Sequence, residues 1–186
     1  MNSNQQISDY IFFYPDVMDT KTCNDIVSHY DINAEWRPST FSTAYKNTGT
    51  SRVSMDEHWI KSQTPYYNDL KKSFEYCVND YTSVHDKIKI LEYTNFRINR
   101  YGEGGFMQSH IDNIHHSHGQ KQGYPHITAL IFLNDDYEGG EFVICGDKYI
   151  EKIQGSAIVF PSNFMYPHEV KEVTEGKRFS VMTWIL

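Results

Sequence analysis

Long apolar runs are missing from this chain of 186 residues. No hydrophobic stretch approaches the roughly 18–20 residues that a membrane-spanning helix needs, so we expect no membrane partner. The first ten residues, MNSNQQISDY, lack both a basic and an apolar segment, so we expect no secretory signal. An excess of positive charge is also missing, since the net charge is −7 at pH 7. We therefore expect no general electrostatic binding of nucleic acid.

Cysteine is scarce, and its number is odd. The three cysteines, Cys23, Cys77 and Cys145, are widely spaced in the sequence. This spacing argues against a disulfide framework and against a zinc knuckle. It predicts reduced thiols and a cytoplasmic location. Nothing in the sequence indicates the oligomeric state.

Aromatic residues are plentiful at 15%, which argues against a disordered chain. Two helical patterns lie in the first part of the chain. Asp19 or Thr20 is expected to cap a helix that runs to about His29. Thr64-Pro65 is a typical helix start, because proline fits the first helical position. The inner face of this second helix is expected to carry apolar residues at helical spacing, namely Leu70, Phe74, Cys77, Val78 and Tyr81.

After about residue 86 the pattern changes from helical to extended. The segment KIKILEYTNFRINRY alternates apolar and polar residues, which predicts a half-buried strand. Further strand-like segments follow, separated by Gly, Asp and Asn turns: HITALIFLN, EFVIC, KYIEKI, SAIVFP, HEVKEV and RFSVMTWIL. We therefore predict a mostly β fold with flanking helices and a double-sheet jelly-roll core of about eight antiparallel strands. We expect one domain over residues 1–186, with helical and loop support in 1–86 and the jelly roll in 87–186.

The segment GFMQSHIDN, Gly105–Asn113, places a histidine and a carboxylate two residues apart. In an extended chain, residues two apart point the same way, so His110 and Asp112 could reach one ion. A non-haem ferrous site needs two imidazoles and one carboxylate on one face of the metal. His168, which opens HEVKEV, is the candidate for the third ligand. The alternative is that these are ordinary polar residues of a loop and a strand.

An arginine, Arg178, follows His168 by ten residues in GKRFSVMTWIL. An arginine that faces inward from a strand is costly unless it finds an anion. Its planar guanidinium suits a carboxylate. A dicarboxylate bound to the metal at one end would present such a carboxylate at its other end. A surface position after the TEGK turn is the alternative.

These residues, in this order, resemble the 2-oxoglutarate- and Fe(II)-dependent oxygenases, specifically the prolyl-4-hydroxylase-like branch. The resemblance covers roughly Lys87–Leu186. It rests on RYGEGGFMQSHID, ITALIFLND, YEGGEFVI, GSAIVFP, HEVKEVTEGKR and TWIL. It implies an enzyme that hydroxylates an unactivated C–H bond and converts 2-oxoglutarate and O2 into succinate and CO2. Ascorbate is the reductant that it implies.

The resemblance also implies roles for individual residues. His110, Asp112 and His168 would be the Fe(II) ligands. Arg178 would bind the distal carboxylate of 2-oxoglutarate. Tyr101 and Thr128 would support the co-substrate through their hydroxyl groups. The glycines of the YEGGE segment, Gly139 and Gly140, would allow a tight turn beside the next strand.

The substrate is the least determined part of this interpretation. The substrate pocket would include Trp184, Arg97 and His126. Collagen-type relatives carry an arginine–tyrosine pair where this chain has Pro125-His126, so a prolyl substrate does not follow from the metal motif. A peptidyl proline, another protein side chain and a small molecule stay open.

Two other functions fit parts of the same pattern. One is a cupin-like metal enzyme that does not use 2-oxoglutarate. The other is a non-catalytic ligand-binding β-sandwich, since fold alone does not give function. A histidine-rich segment adds a further question, because His115, His116 and His118 could form a lid, a second metal site or neither.

Overall fold

The computed structural model describes residues 6–39, 52–113 and 124–186 of the chain. A short 3-10 helix, Ile7–Tyr10, precedes the first strand. Two α-helices follow, α1 at Thr20–Asn33 and α2 at Tyr67–Val84. Both helices were expected from the sequence.

The helix boundaries differ from the sequence-based expectation by a few residues. Helix α1 begins as predicted, because the Asp19 side chain accepts a hydrogen bond from the Thr22 backbone N–H at 2.9 Å. It runs four residues beyond His29. Helix α2 begins at Tyr67, after a left-handed residue at Tyr66 with φ of 64°, so Pro65 lies just before the helix.

The other regular elements of the described residues are strands. The first four are β1 (Phe12–Tyr14), β2 (Arg37–Pro38), β3 (Val53–Ser54) and β4 (Asp56–Ile60). The next five are β5 (Phe96–Tyr101), β6 (Phe106–His110), β7 (Ile127–Phe132), β8 (Glu138–Gly139) and β9 (Phe142–Ile144). The last five are β10 (Lys148–Tyr149), β11 (Ala157–Pro161), β12 (His168–Val170), β13 (Val173–Glu175) and β14 (Arg178–Ile185).

These strands form two large antiparallel sheets and one small ribbon. The seven-stranded sheet has the order β1-β11-β7-β14-β5-β4-β2, and the five-stranded sheet has the order β10-β9-β12-β6-β3. Strands β8 and β13 pair separately. Among the described residues after 87, four strands lie in each large sheet, which confirms the predicted jelly roll of about eight strands.

Two details of the strand prediction are corrected. The strand expected from Lys87 begins only at Phe96. Before it, Tyr93 forms a single bridge with Ile185, and Leu91 and Thr94 donate backbone hydrogen bonds to the end of β14. The residues before 87 also do more than support the core, because β1 and β4 pair with β11 and β5. Both halves of the chain therefore contribute strands to the large sheets.

Apolar side chains form two layers. One layer lies between the helices and the outer face of the seven-stranded sheet, and it includes Ile26, Leu70, Phe74, Ile98 and Val181. The other layer fills the space between the two sheets, and it includes Met107, Leu130, Phe142, Phe160 and Trp184. Side chains alternate between these layers along each strand, so the polar residues that face the second layer are brought together inside the sandwich.

Candidate metal centre

Three possible metal ligands meet between the sheets. His110 ends β6 and His168 opens β12, and the two residues are direct partners across the antiparallel pair. Asp112 follows two residues after His110. One ligand atom from each of the three residues lies within 4.8 Å of the others. The Nε2 atoms of His110 and His168 are each 3.5 Å from an oxygen of Asp112.

The hydrogen bonds of the two imidazoles fix which nitrogen faces the centre. His110 Nδ1 lies 2.9 Å from the Gln108 carbonyl oxygen, and His168 Nδ1 lies 3.2 Å from the Tyr166 carbonyl oxygen. A carbonyl oxygen only accepts, so each Nδ1 carries the proton. Each Nε2 therefore keeps its lone pair and directs it toward Asp112, as a metal-binding imidazole must.

Burial and charge set the protonation of the centre. Burial by itself raises the pKa of Asp112, but the His168 and His110 imidazoles and the Thr128 hydroxyl outweigh it, so this pKa lies well below its usual range. Burial lowers the pKa of His168 to about 4, against the opposing attraction of Asp112. At neutral pH the centre therefore offers an ionised carboxylate beside a neutral imidazole. These are the forms that bind a metal ion.

Thr128 has a different place from the one expected. Its hydroxyl donates to Asp112 Oδ2 at 2.8 Å and lies 2.9 Å from the Ser162 hydroxyl. Its partner across the sheet is Trp184, six residues along β14 from Arg178. Six residues of strand span roughly 20 Å. Thr128 therefore orients the Asp112 carboxylate and is too far from Arg178 to share one small carboxylate with it, which corrects the prediction.

Arg178 lies on the inner face of β14, as expected for an anion-binding residue, and it is fully buried. Nη1 donates to the Ser180 hydroxyl at 3.1 Å, while Nε and Nη2 have no hydrogen-bond partner. No salt bridge to Arg178 is found within the described ranges. A buried cation without an anion costs several kcal/mol. The side chain therefore has two free donors and a charge to neutralise.

Aromatic rings surround this guanidinium. Its carbon lies 5.1 Å from the ring centre of Tyr101 and 5.5 Å from that of Phe132. Tyr101 pairs with Arg178 across β5 and β14, so the two side chains lie next to each other. Burial raises the pKa of Tyr101 although the charge of Arg178 opposes it, so the phenol stays protonated and can donate.

Two further residues of this pocket were not identified from the sequence. Burial raises the pKa of Tyr137, while the charge of Arg178 and a hydrogen bond with it act in the opposite direction. Ser180 shares the inner face with Arg178 because the two are two residues apart on one strand. This two-residue spacing in the sequence could have identified Ser180 as a neighbour of Arg178. No comparable signal existed for Tyr137, which lies in a turn.

The glycine pair after Tyr137 makes room for Arg178. Gly139 and Gly140 both have positive φ, at 68° and 64°. A Cβ on Gly140 would lie 2.9 Å from Tyr137 Cε2 and 3.2 Å from Arg178 Cδ. The turn predicted from YEGGE therefore serves a second purpose beyond backbone freedom.

The three residues predicted for the substrate pocket lie in different places. Trp184 is buried, and its ring centre is 4.9 Å from the guanidinium carbon of Arg97. Arg97 is 7% exposed and points to the inner face of β5. The His126 side chain is exposed, two residues before Thr128. Strand alternation puts His126 on the same side of the sheet as Thr128.

Residues 96–186 match the family model described as the 2OG-Fe(II) oxygenase superfamily. This range contains all three candidate ligands and Arg178. This segment is therefore similar to the 2OG-Fe(II) oxygenase superfamily. The resemblance stated from the sequence is confirmed, and the family is favoured over a cupin-like enzyme and over a non-catalytic sandwich.

Several relatives are similar to this chain over about half of its length. A "PKHD-type hydroxylase" of Stenotrophomonas maltophilia is 34% identical over 101 residues, which cover 51% of this chain and 44% of that protein. A second one, from Caulobacter vibrioides, is 36% identical over 95 residues, which cover 47% of this chain and 40% of that protein. The match thus spans less than half the length of these relatives.

Solved structures show that the chain has the fold of prolyl hydroxylases. A Pseudomonas putida prolyl-4-hydroxylase superposes with a TM-score of 0.72 at 16% identity, covering 95% of this chain and 91% of that one. A Trichoplax adhaerens prolyl hydroxylase, solved with a peptide of a hypoxia inducible factor, gives 0.74 at 17% identity and covers 96% and 84%. A viral collagen prolyl hydroxylase from Paramecium bursaria Chlorella virus-1, in a 2OG complex, gives 0.71 at 16% and covers 95% of each chain.

In the described segments of the chain, no helix combines the length and the apolar character needed to cross a membrane. The segment with His115, His116 and His118 lies outside the described residues.

Proposed function

We propose that this protein is a 2-oxoglutarate- and Fe(II)-dependent dioxygenase that hydroxylates an unactivated C–H bond and releases succinate and CO2. The observation that carries the proposal is the buried, uncompensated charge of Arg178 on the inner face that also faces the His–Asp–His centre. A metal centre alone would fit several enzyme classes. A second, anion-seeking site in the same interior fits a co-substrate with two carboxylates.

The donor set fits ferrous iron. His110, Asp112 and His168 would hold the ion by two imidazoles and one carboxylate, the donor set of non-haem ferrous sites. Iron bound there supplies the activation of O2. The protein's own part is to fix the ligands, and the carbonyl groups of Gln108 and Tyr166 do so by holding both imidazole rings.

The pocket of Arg178 fits the far carboxylate of 2-oxoglutarate. The free Nε and Nη2 donors would bind one carboxylate, and the Ser180 hydroxyl keeps the guanidinium in place. The rings of Tyr101 and Phe132 exclude water, which strengthens the charge pair. The protonated Tyr101 hydroxyl would add a further donor.

A peptide is the substrate class that we propose. The Trichoplax neighbour was solved with a peptide fragment, and the Pseudomonas and viral neighbours are named as prolyl hydroxylases. Trp184, Arg97 and His126 would line the substrate side of the centre. Peptidyl proline belongs to this class, and ascorbate is the reductant that we predict.

We also propose a reducing, cytoplasmic location. Cys23, Cys77 and Cys145 are free thiols on separate parts of the fold. A reducing compartment keeps such thiols free, and it favours ferrous over ferric iron.

The test is the binding of 2-oxoglutarate in the presence of ferrous iron under argon, measured by calorimetry. We expect Arg178→Met to weaken binding about a hundredfold or more, because the co-substrate would then bury an unpaired carboxylate. Arg178→Lys should restore part of the affinity. The neighbouring Lys177→Met is the matched control, since Lys177 is exposed and pairs with Asp31.

Succinate formation gives the second measurement. It should depend on ferrous iron and be abolished in His110→Ala. Wild-type affinity for 2-oxoglutarate in Arg178→Met would overturn the assignment of the co-substrate.

A further inference from the structure

The inner face of the seven-stranded sheet carries two buried arginines, and their charges are balanced differently. Arg178 has no carboxylate partner among the described residues. Arg97 has one, since its Nη1 lies 3.3 Å from Glu57 Oε2. A molecule that enters the space between the sheets would therefore need a negative charge to pair with Arg178, but not to pair with Arg97.

Arg97 is neutralised but not fully hydrogen-bonded. Its Nη2 lies 3.0 Å from Met182 Sδ, which is a weak acceptor, and its buried Nε has no partner. The guanidinium lies against the rings of Trp59 and Trp184, at 5.9 and 4.9 Å from their centres. The guanidinium is therefore held in one position, and its Nε–H is a strong donor without an acceptor.

A chain of contacts links Arg97 to the metal centre. Trp184, which stacks on Arg97, is the cross-strand partner of Thr128, and Thr128 donates to Asp112. Arg97 is in register with Met182, four residues along β14 from Arg178. Four residues correspond to roughly 13 Å of strand. Arg97 thus lies toward the Trp184 end of the face, away from the proposed site for 2-oxoglutarate.

We propose that Arg97 is a specificity-determining residue that donates from Nε to an uncharged carbonyl group of the substrate, as a peptide bond presents, with Glu57 setting this preference. The proposal rests on the dioxygenase function proposed above. It extends that function by naming the kind of acceptor that the substrate must carry.

Charge balance is the reason for this choice. A substrate carboxylate at Arg97 would bring a second anion next to Glu57, whose side chain is only 22% exposed, and such a pair of like charges is unfavourable. An amide carbonyl gives Nε its missing acceptor without adding charge. Glu57 is itself held in place, because the indole Nε1 of Trp59 donates to its Oε1 at 3.4 Å. Glu57 therefore stays with Arg97 when a substrate enters.

The test uses two sets of probes with the iron-loaded enzyme and 2-oxoglutarate. One set is a library of capped peptides with an odd number of residues and a randomised central residue, and the other is the matching N-acetyl amino acids with a free carboxylate. Mass spectrometry measures the gain of one oxygen atom. We expect the wild-type protein to convert members of the capped set in preference to the carboxylates.

Three variants then identify the residue responsible. Arg97→Met should lower kcat/KM for the best peptide about tenfold to a hundredfold while the affinity for 2-oxoglutarate stays unchanged. The matched control is Arg100→Met, because Arg100 lies on the same strand but faces outward and pairs with Asp31 and Asp56. Glu57→Gln should shift the preference toward the carboxylate probes, which a merely structural role of the ion pair would not do.

The possible results separate this proposal from the function on which it rests. If 2-oxoglutarate does not bind in the presence of iron, the dioxygenase function falls, and this proposal with it. If 2-oxoglutarate is turned over but carboxylates are the better substrates, or no capped peptide is converted, only the role of Arg97 is overturned. Equal effects of Arg97→Met and Arg100→Met would also overturn it.

Discussion

At the scale of single residues, the Thr128 hydroxyl has a larger role than its size indicates. It gives the buried Asp112 carboxylate a hydrogen bond at 2.8 Å. Partners that orient a metal ligand typically contribute a factor of 10–100 in metal affinity. We therefore predict that Thr128→Val weakens the binding of ferrous iron by about tenfold or more, as measured by anaerobic equilibrium dialysis.

The control for this prediction is Thr183→Val. Thr183 is also buried, but its hydroxyl donates to the Thr94 carbonyl on the other face of the sheet. Iron affinity should stay near the wild-type value in this variant. Equal iron affinity in Thr128→Val and wild type would show that Asp112 does not need the hydroxyl.

Gly140 gives a prediction about the space around Arg178. A methyl group at this position would meet Tyr137 and Val173 at 2.9 Å and Arg178 at 3.2 Å. We expect Gly140→Ala to destabilise the fold by about 1–3 kcal/mol and to weaken 2-oxoglutarate binding, because Arg178 must move. Denaturant unfolding and calorimetry measure the two effects.

Gly104→Ala separates backbone strain from crowding. Gly104 also has a positive φ, 74°, but a Cβ there would have no atom within 4 Å. The Gly104→Ala substitution should lower the free energy of unfolding through backbone strain alone and leave the affinity for 2-oxoglutarate unchanged. The crowding argument fails if both alanine variants bind 2-oxoglutarate equally well.

At the scale of elements, ion pairs connect helix α1 to the seven-stranded sheet. Asp31 on α1 accepts from Arg100 of β5 and from Lys177 next to β14, both at 2.9 Å. Burial acts to raise the pKa of Asp31, but these two partners lower it overall. A lowered pKa in the folded state means that the ionised carboxylate stabilises the protein at neutral pH.

We predict that Asp31→Asn lowers the free energy of unfolding by about 1 kcal/mol at pH 7, measured with urea. The difference between wild type and variant should shrink as the pH falls below about 4, because the wild-type carboxyl then becomes protonated. Asp25→Asn on the same helix removes only an exposed pair with Lys21 and serves as the control. A difference that does not change with pH would contradict the ion-pair explanation.

Elements with a strong local signal could be predicted, and elements defined by their partners could not. The helix α1 start follows from the Asp19 cap, and the inner residues of α2 follow from helical spacing. Strand β5 was predicted too long, because alternation continues through residues 88–95 while only one bridge forms there. Strands β2 and β3 have two residues each, so their pairing rather than their composition defines them.

At the scale of the whole molecule, ligand binding should be visible as a gain in stability. A ligand at about 100 times its dissociation constant stabilises the folded state by about 2.7 kcal/mol. For a protein of this length we therefore predict that ferrous iron and 2-oxoglutarate together raise Tm by about 5–10 °C under argon, measured by calorimetric scans.

Arg178→Met divides this gain into its two parts. The variant should keep the gain from iron and lose the gain from 2-oxoglutarate. A Tm that does not respond to either ligand in the wild-type protein would contradict the proposed pair of sites.

The sequence by itself determined the chemistry available to this protein. The His-x-Asp pair, the later histidine and the arginine after it are local and ordered features, so they identified the metal ligands and the anion-binding residue as candidates. Alternation of apolar residues determined that the second half would form strands, because each strand has to bury one face.

Only the tertiary structure decided which side chains share a pocket. Thr128 was expected beside the co-substrate, but the pairing of β7 with β14 places it beside Asp112. Tyr137 reaches Arg178 from a turn, and Glu57 reaches Arg97 from β4, forty residues earlier in the sequence. Such contacts depend on which strands are neighbours and in what register, and no local pattern in the sequence encodes that.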